Sequence, residues 1–151
     1  MRSPASVAGH PLHPILVAFP IGLWTFALAC DAAYHLLHVS YAWKEAALFC
    51  TGGGLLGAVV AMAPGFIDYA SISGGGRLKQ VAVYHLFLNV TASLLFAASF
   101  WLRFQERPLQ GASLLPVGIG AVGVLFIVLG GWYGGEMVYK LRMAVDEAKK
   151  D

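Results

Sequence analysis

The sequence carries little charge for its size. Only 12% of its 151 residues are Asp, Glu, Lys or Arg, whereas 58% are hydrophobic and the mean hydropathy is +0.69. A soluble domain carries roughly a quarter charged residues, so this chain lacks the polar residues needed to coat a globule in water. The net charge of +2 is too small for a nucleic-acid surface, and two cysteines cannot form a disulfide framework. These absences leave an integral membrane protein embedded in the lipid bilayer.

Long apolar runs predict four membrane-spanning helices. They lie near residues 14–38, 42–70, 81–102 and 113–138, and each reaches the length of about 20 residues that crosses a hydrocarbon core. The segments between them are too short to bury a core of their own. Apart from a glycine-rich loop at 74–76, the chain shows no evident internal repeat. Residues 1–151 are therefore predicted to form one all-α domain, a bundle of four transmembrane helices.

The positive charges are distributed unevenly over the loops. Three of them fall on one side: Lys44, Arg103 and Arg107. The other seven fall on the side of both termini: Arg2, Arg77, Lys79, Lys140, Arg142, Lys149 and Lys150. Because positive loop residues stay in the cytoplasm, this bias predicts that both termini lie on the cytoplasmic side of the plasma (inner) membrane.

A histidine pair opens the first helix, in the segment His10-Pro11-Leu12-His13-Pro14. Each histidine precedes a proline, which favours an extended or polyproline conformation with a repeat of three residues. This conformation would project His10 and His13 from the same side of the chain. One alternative is structural, with His13 at the helix end and His10 among the lipid headgroups.

Span parity brings three more polar residues to the same membrane face as His10 and His13. They are Asp68, His85 and Glu136, and Asn89 follows His85 on one helical stripe that should face the bundle interior. Imidazoles and carboxylates are the usual ligands of zinc and iron, and a histidine pair across a bundle is also how haem b is held. The metal hypothesis uses all five side chains. The haem hypothesis uses His13 and His85 first, with His10 next.

A second polar group lies toward the opposite face, on the first helix. Asp31, His35 and His38 share one stripe, and a carboxylate at the depth of Asp31 needs a partner. The spacing favours a hydrogen bond between Asp31 and His35. A second metal site or a proton relay is the alternative.

Glycines predict where the helices pack closely. Small-x-x-x-small stripes let two backbones approach each other, and they occur on the second and fourth helices at Gly53, Gly57, Gly130, Gly131, Gly134 and Gly135. Such stripes would also allow copies of the chain to associate.

Several motifs together resemble a known family. They are Gly9-His10-Pro11-Leu12-His13-Pro14, then Phe19-Pro20-Ile21, Asp31, Pro64-Gly65 with Asp68, His85, and Gly134-Gly135-Glu136-Met137-Val138-Tyr139. This combination resembles DUF2231, a family of bacterial four-helix membrane proteins. Relatives occur fused to Rieske or cytochrome c domains, so the resemblance implies a membrane redox setting.

Two functions are compatible with these features. The first is a protein that binds haem b or a metal ion, iron or zinc, in the histidine and carboxylate cluster and takes part in electron transfer with a separate redox protein as partner. The second is a non-catalytic accessory or assembly subunit of a larger respiratory or photosynthetic membrane complex, in which the histidines make interfacial hydrogen bonds.

Overall fold

The computed structural model describes residues 3–107 and 113–145. A short antiparallel hairpin of β1 (Ser6–Val7) and β2 (His10–Pro11) precedes the helices. The helices are α1 (Leu12–Leu16), α2 (Ala18–His35), α3 (Ala42–Ser71), α4 (Arg77–Gln105) and α5 (Leu115–Gly135), and a π-helical turn at Glu136–Lys140 extends α5.

Within the described residues, four helical segments are long and apolar enough to cross a membrane. They are Leu12–His35, Ala42–Ser71, Arg77–Gln105 and Leu115–Lys140, with 24, 30, 29 and 26 residues. The first of them joins α1 and α2, which are separated only by Val17. The predicted all-α fold with four transmembrane helices is confirmed.

The helix ends differ from the prediction by a few residues, for local reasons. The first span begins at Leu12, because Pro14 falls in the first helical turn, where a backbone N–H has no intrahelical partner. It ends at His35, before the left-handed backbone of His38 (φ 52°), a conformation that interrupts a right-handed helix. The third span begins at Arg77, four residues earlier than predicted, and it ends at Gln105.

The histidine segment adopts a hairpin in place of the expected polyproline conformation. Ala8 and Gly9 both have positive φ (50° and 81°), as a two-residue hairpin turn requires. His10 therefore lies on a strand, whereas His13 lies in the first turn of α1. The two histidines do not belong to one extended segment.

The helices pack as two hairpins. The first hairpin consists of α1, α2 and α3, and the second consists of α4 and α5. At the centre, the rings of Trp24 and Phe96 stack with 4.2 Å between centroids and 6° between planes. Small or branched residues surround this stack: Ala58, Ala92 and Ile127.

The predicted glycine stripes lie at close approaches. A Cβ at Gly57 would come within 3.2 Å of Pro20, and a Cβ at Gly53 would come within 3.4 Å of Leu23. On α5, a Cβ at Gly130 would lie 2.6 Å from the side chain of Asn89. Gly131 faces away, with nothing within 4 Å of the Cβ position.

Candidate functional site

His13 is anchored to the neighbouring helix of its own hairpin. Its Nδ1 lies 2.8 Å from the carbonyl oxygen of Ala61 on α3. Pro64 lies three residues further on inside α3, and Gly65 makes room for the ring. A Cβ at Gly65 would lie 2.7 Å from His13 Nδ1. The imidazole therefore occupies a space that only a glycine leaves open.

His85 is held in the same way in the second hairpin. Its Nδ1 lies 2.8 Å from the carbonyl oxygen of Gly130 on α5, and a Cβ at Gly134 would lie 3.1 Å from its Cε1. One turn further along α4, Asn89 Nδ2 donates to the carbonyl of His85 at 2.7 Å. The predicted stripe of His85 and Asn89 does face the interior of the bundle.

The two anchored imidazoles meet between the hairpins. Their centroids are 6.0 Å apart and their planes are 85° apart. A carbonyl oxygen only accepts hydrogen bonds, so each Nδ1 must carry the proton that it donates. In the neutral form of such a ring the lone pair lies on Nε2, one of the two nitrogens through which histidine binds metals. His13 and His85 thus form a bis-imidazole pair.

The other three predicted ligands have different partners. His10 is exposed on β2, with its Nδ1 3.0 Å from the carbonyl of Ala8. The buried carboxylate of Asp68 accepts from Ser3 Oγ at 2.6 Å and from the backbone N–H of Ala5 at 3.3 Å. Asp68 thereby ties the N-terminal arm to α3.

Glu136, at the start of the π-helical turn, pairs with Arg77 at 2.8 Å. Arg77 begins α4, so this ion pair joins the two helices of the second hairpin at the end where the histidine pair lies. Across residues 3–107 and 113–145, no three His, Cys, Asp or Glu side chains are placed to share one metal ion. The five predicted ligands therefore do not gather around one point, and metal binding stays a prediction for the bis-imidazole pair.

The principal partner of Asp31 was not predictable from residues on its own helix. Both oxygens of this buried carboxylate receive hydrogen bonds from Arg103, Nη1 to Oδ1 and Nη2 to Oδ2, each at 2.7 Å. Arg103 Nε donates to Ser99 Oγ at 3.1 Å, and that hydroxyl donates to the carbonyl of Pro116 at 2.7 Å. The expected hydrogen bond to His35 is therefore replaced by a bidentate ion pair. The sequence carries one indication of this ion pair, because each of its two residues lies 18 positions after a histidine of the bis-imidazole pair.

His35 and His38 lie beyond this ion pair, at the end of the first span. With Tyr34 and Val39 they line an open cavity of about 340 Å³, and the ring of His35 makes an edge contact with Tyr34 at 4.9 Å between centroids. The proposed second metal site or proton relay would need a further ligand or acceptor beside these two imidazoles.

The family model described as "Predicted membrane protein (DUF2231)" matches residues 9–147. The chain belongs to the DUF2231 family. No curated protein and no solved structure matches it. The match covers the bis-imidazole pair, the Asp31–Arg103 ion pair and all four membrane-spanning segments, so the site described above lies wholly within the family region of this DUF2231 chain.

The two cysteines of this DUF2231 chain contribute small apolar side chains. Cys30 is fully buried next to Asp31, Cys50 is half-buried, and both are free thiols. Their position in the apolar part of the spans agrees with the packing role expected of such cysteines.

Proposed function

We propose that this membrane protein holds a redox-active metal centre between His13 and His85 and passes electrons through it to a separate protein partner. The group that best suits the donor set is haem b, and a single iron ion is the alternative for electron transfer, whereas zinc has no redox chemistry and would make the site structural. The observation that carries the proposal is the bis-imidazole pair, with both Nδ1 atoms donating to backbone carbonyls and both Nε2 lone pairs left as ligand atoms.

The number of protein ligands favours haem over a bare ion. Structural zinc takes four protein ligands and catalytic zinc takes three, whereas haem iron needs only axial ligands, because the porphyrin supplies the other four nitrogens. The described residues offer two imidazoles without a third ligand placed to join them. A set of two histidines is complete for haem b and incomplete for zinc.

The two rings are close enough that both side chains could hold one group. The observed separation of the ring centroids is 6.0 Å. When bound, the iron would supply a one-electron couple.

The remaining polar residues would support this site from outside. Hydrogen bonds from metal-ligating histidines to backbone carbonyls fix the ring orientation and the tautomer, and Ala61 and Gly130 provide these acceptors. Asp68 and Glu136 hold the N-terminal arm and the start of α4 at the same end of the bundle. In this proposal they position backbone and helices and are not ligands.

The test is an oxidised and a reduced visible spectrum of the full-length protein purified in detergent, with elemental analysis of the same sample. We expect a Soret band that shifts on reduction, and loss of that band in both His13→Ala and His85→Ala. His10→Ala is the matched control and should keep the band, because His10 is exposed and bonded within its own turn. An unchanged band in both variants would refute the assignment. A sample with neither haem nor metal would favour the accessory subunit.

A further inference from the structure

Three pairs of residues along the centre of the bundle share one spacing. His13 contacts His85, Trp24 stacks on Phe96, and Asp31 binds Arg103. In every pair the second residue lies 72 positions after the first. From His13 to Asp31 the helix rises about 27 Å, nearly the thickness of a hydrocarbon core of about 30 Å. The same register between the two hairpins therefore holds through the whole membrane.

The contacts inside each hairpin repeat with a second constant spacing. His13 is bonded to the carbonyl of Ala61, and His85 is bonded to the carbonyl of Gly130, which lies 69 positions after Ala61. In both hairpins the residue four positions after this carbonyl is a glycine that makes room for the imidazole: Gly65 and Gly134.

The aromatic pair repeats in the same way. A Cβ at Gly54 would collide with the indole of Trp24, and a Cβ at Gly123 would lie 2.8 Å from the ring of Phe96. Gly123 again lies 69 positions after Gly54. Helical periodicity alone would give similar burial patterns, but it would not give the same partner contacts at the same offsets.

We infer that the chain consists of two related helical hairpins around a pseudo-two-fold axis. In this arrangement the Asp31–Arg103 ion pair directs the first hairpin to pack against the second. In a two-fold assembly a residue on the axis contacts its own counterpart, as His13 and His85 do. The axis runs along the bundle, because successive spans alternate in direction and the first and third are therefore parallel. This inference departs from the sequence-based expectation of a chain without an internal repeat.

At one end of the axis identical residues can face each other, and at the other end they cannot. Two histidines can face each other as equals, whereas two aspartates or two arginines at the buried site of Asp31 and Arg103 would be like charges without a partner. Opposite charges at equivalent positions therefore favour pairing of unlike hairpins and disfavour pairing of a hairpin with a copy of itself. This inference does not depend on whether the bis-imidazole pair binds a cofactor.

Symmetry makes the ion pair transferable between the hairpins. Arg103 is supported by Ser99, whose hydroxyl donates to the carbonyl of Pro116. The equivalent positions in the first hairpin, at the offsets of 72 and 69, are Ala27 and Ala47. A serine at position 27 can offer the same acceptor to an arginine at position 31, and its own hydroxyl hydrogen would compete with the Thr51 hydroxyl for the carbonyl of Ala47.

The experiment reverses the charges in the full-length protein and measures thermal unfolding in detergent. Asp31→Arg and Arg103→Asp alone should each lower Tm by about 10 °C or more, or prevent folding, because each leaves like charges buried together. The fourfold variant D31R/A27S/R103D/S99A should recover at least half of that loss. Reversal of the more exposed pair Glu45–Arg107 (E45R/R107E) is the control and should leave Tm close to that of the unchanged protein.

Two results would overturn the inference. If the fourfold variant is no more stable than the single variants, the two hairpins do not offer equivalent surroundings and the symmetry is wrong. If the single reversals leave Tm unchanged, the ion pair does not determine how the hairpins pair.

Discussion

The two ends of the central axis use the same helix positions for opposite purposes. At one end His13 and His85 each donate one hydrogen bond from Nδ1 to a backbone carbonyl, and Nε2 of each ring keeps a lone pair that can bind a ligand. At the other end Asp31 and Arg103 satisfy each other through two hydrogen bonds, and Ser99 takes a third donor. The comparison indicates that the ion pair satisfies its own polar groups, whereas the histidine end keeps the two nitrogen atoms that the proposed function uses.

The largest expected effect is at the ion pair. Arg103→Met removes one partner and leaves the carboxylate of Asp31 buried without its cation, so we expect a loss of about 3 to 5 kcal/mol in the free energy of unfolding. Chemical denaturation in detergent measures it. The control is Arg107→Met, whose side chain is about half exposed, and a loss of similar size in both variants would contradict a special role of the ion pair.

A smaller loss of stability is expected at Gly65, which leaves space for the imidazole of His13. Gly65→Ala would place a Cβ 2.7 Å from His13 Nδ1, displace the ring and break its hydrogen bond to Ala61. We expect a loss of about 1 to 3 kcal/mol and the loss of any group bound between the histidines. Gly75→Ala is the control, since nothing lies within 4 Å of its Cβ position. Full retention of the bound group in Gly65→Ala would weigh against the bis-imidazole pair as its site.

The N-terminal arm should respond to Asp68. Asp68→Asn weakens acceptance from Ser3 and Ala5, at a cost of about 1 kcal/mol, and should speed hydrogen exchange and proteolysis in residues 3–11. The remaining helices should keep their protection. Unchanged exchange in the arm would show that Asp68 does not hold it.

The smallest effect is expected at Glu136. Its partner Arg77 is 61% exposed, and water and salt screen such a pair. Glu136→Gln should therefore leave Tm within the error of the measurement at physiological salt. A large fall in Tm would mean that Glu136 belongs to the site and is not a peripheral support.

The fold was predictable because membrane-spanning helices can be recognised from the length and the apolar composition of a segment. Four apolar runs were enough to predict the bundle, and the positions of His13 and His85 at one face followed from span parity. The conformation of the segment from His10 to Pro14 was not predictable from residues before proline, because the positive φ of Ala8 and Gly9 turns the chain back into a hairpin.

The partners of the carboxylates were harder to predict. Asp31 was paired with His35 because both lie on one helix, whereas Arg103 is 72 residues away in the chain and was assigned to a loop. The two hairpins retain few identical residues at equivalent positions, among them Leu16 and Leu88, Gly54 and Gly123, and Gly65 and Gly134. With so few matches, the repeat became visible only through the contacts that both hairpins make.

The most direct test compares His85→Ala with Arg103→Met in one preparation series, measuring both the content of bound haem or metal and the unfolding temperature. The account predicts that His85→Ala loses the bound group and unfolds at nearly the unchanged Tm. Arg103→Met should show a much larger fall in Tm than His85→Ala. A His85→Ala protein that binds the same group with the same spectrum would contradict the assignment of the bis-imidazole pair as the functional site.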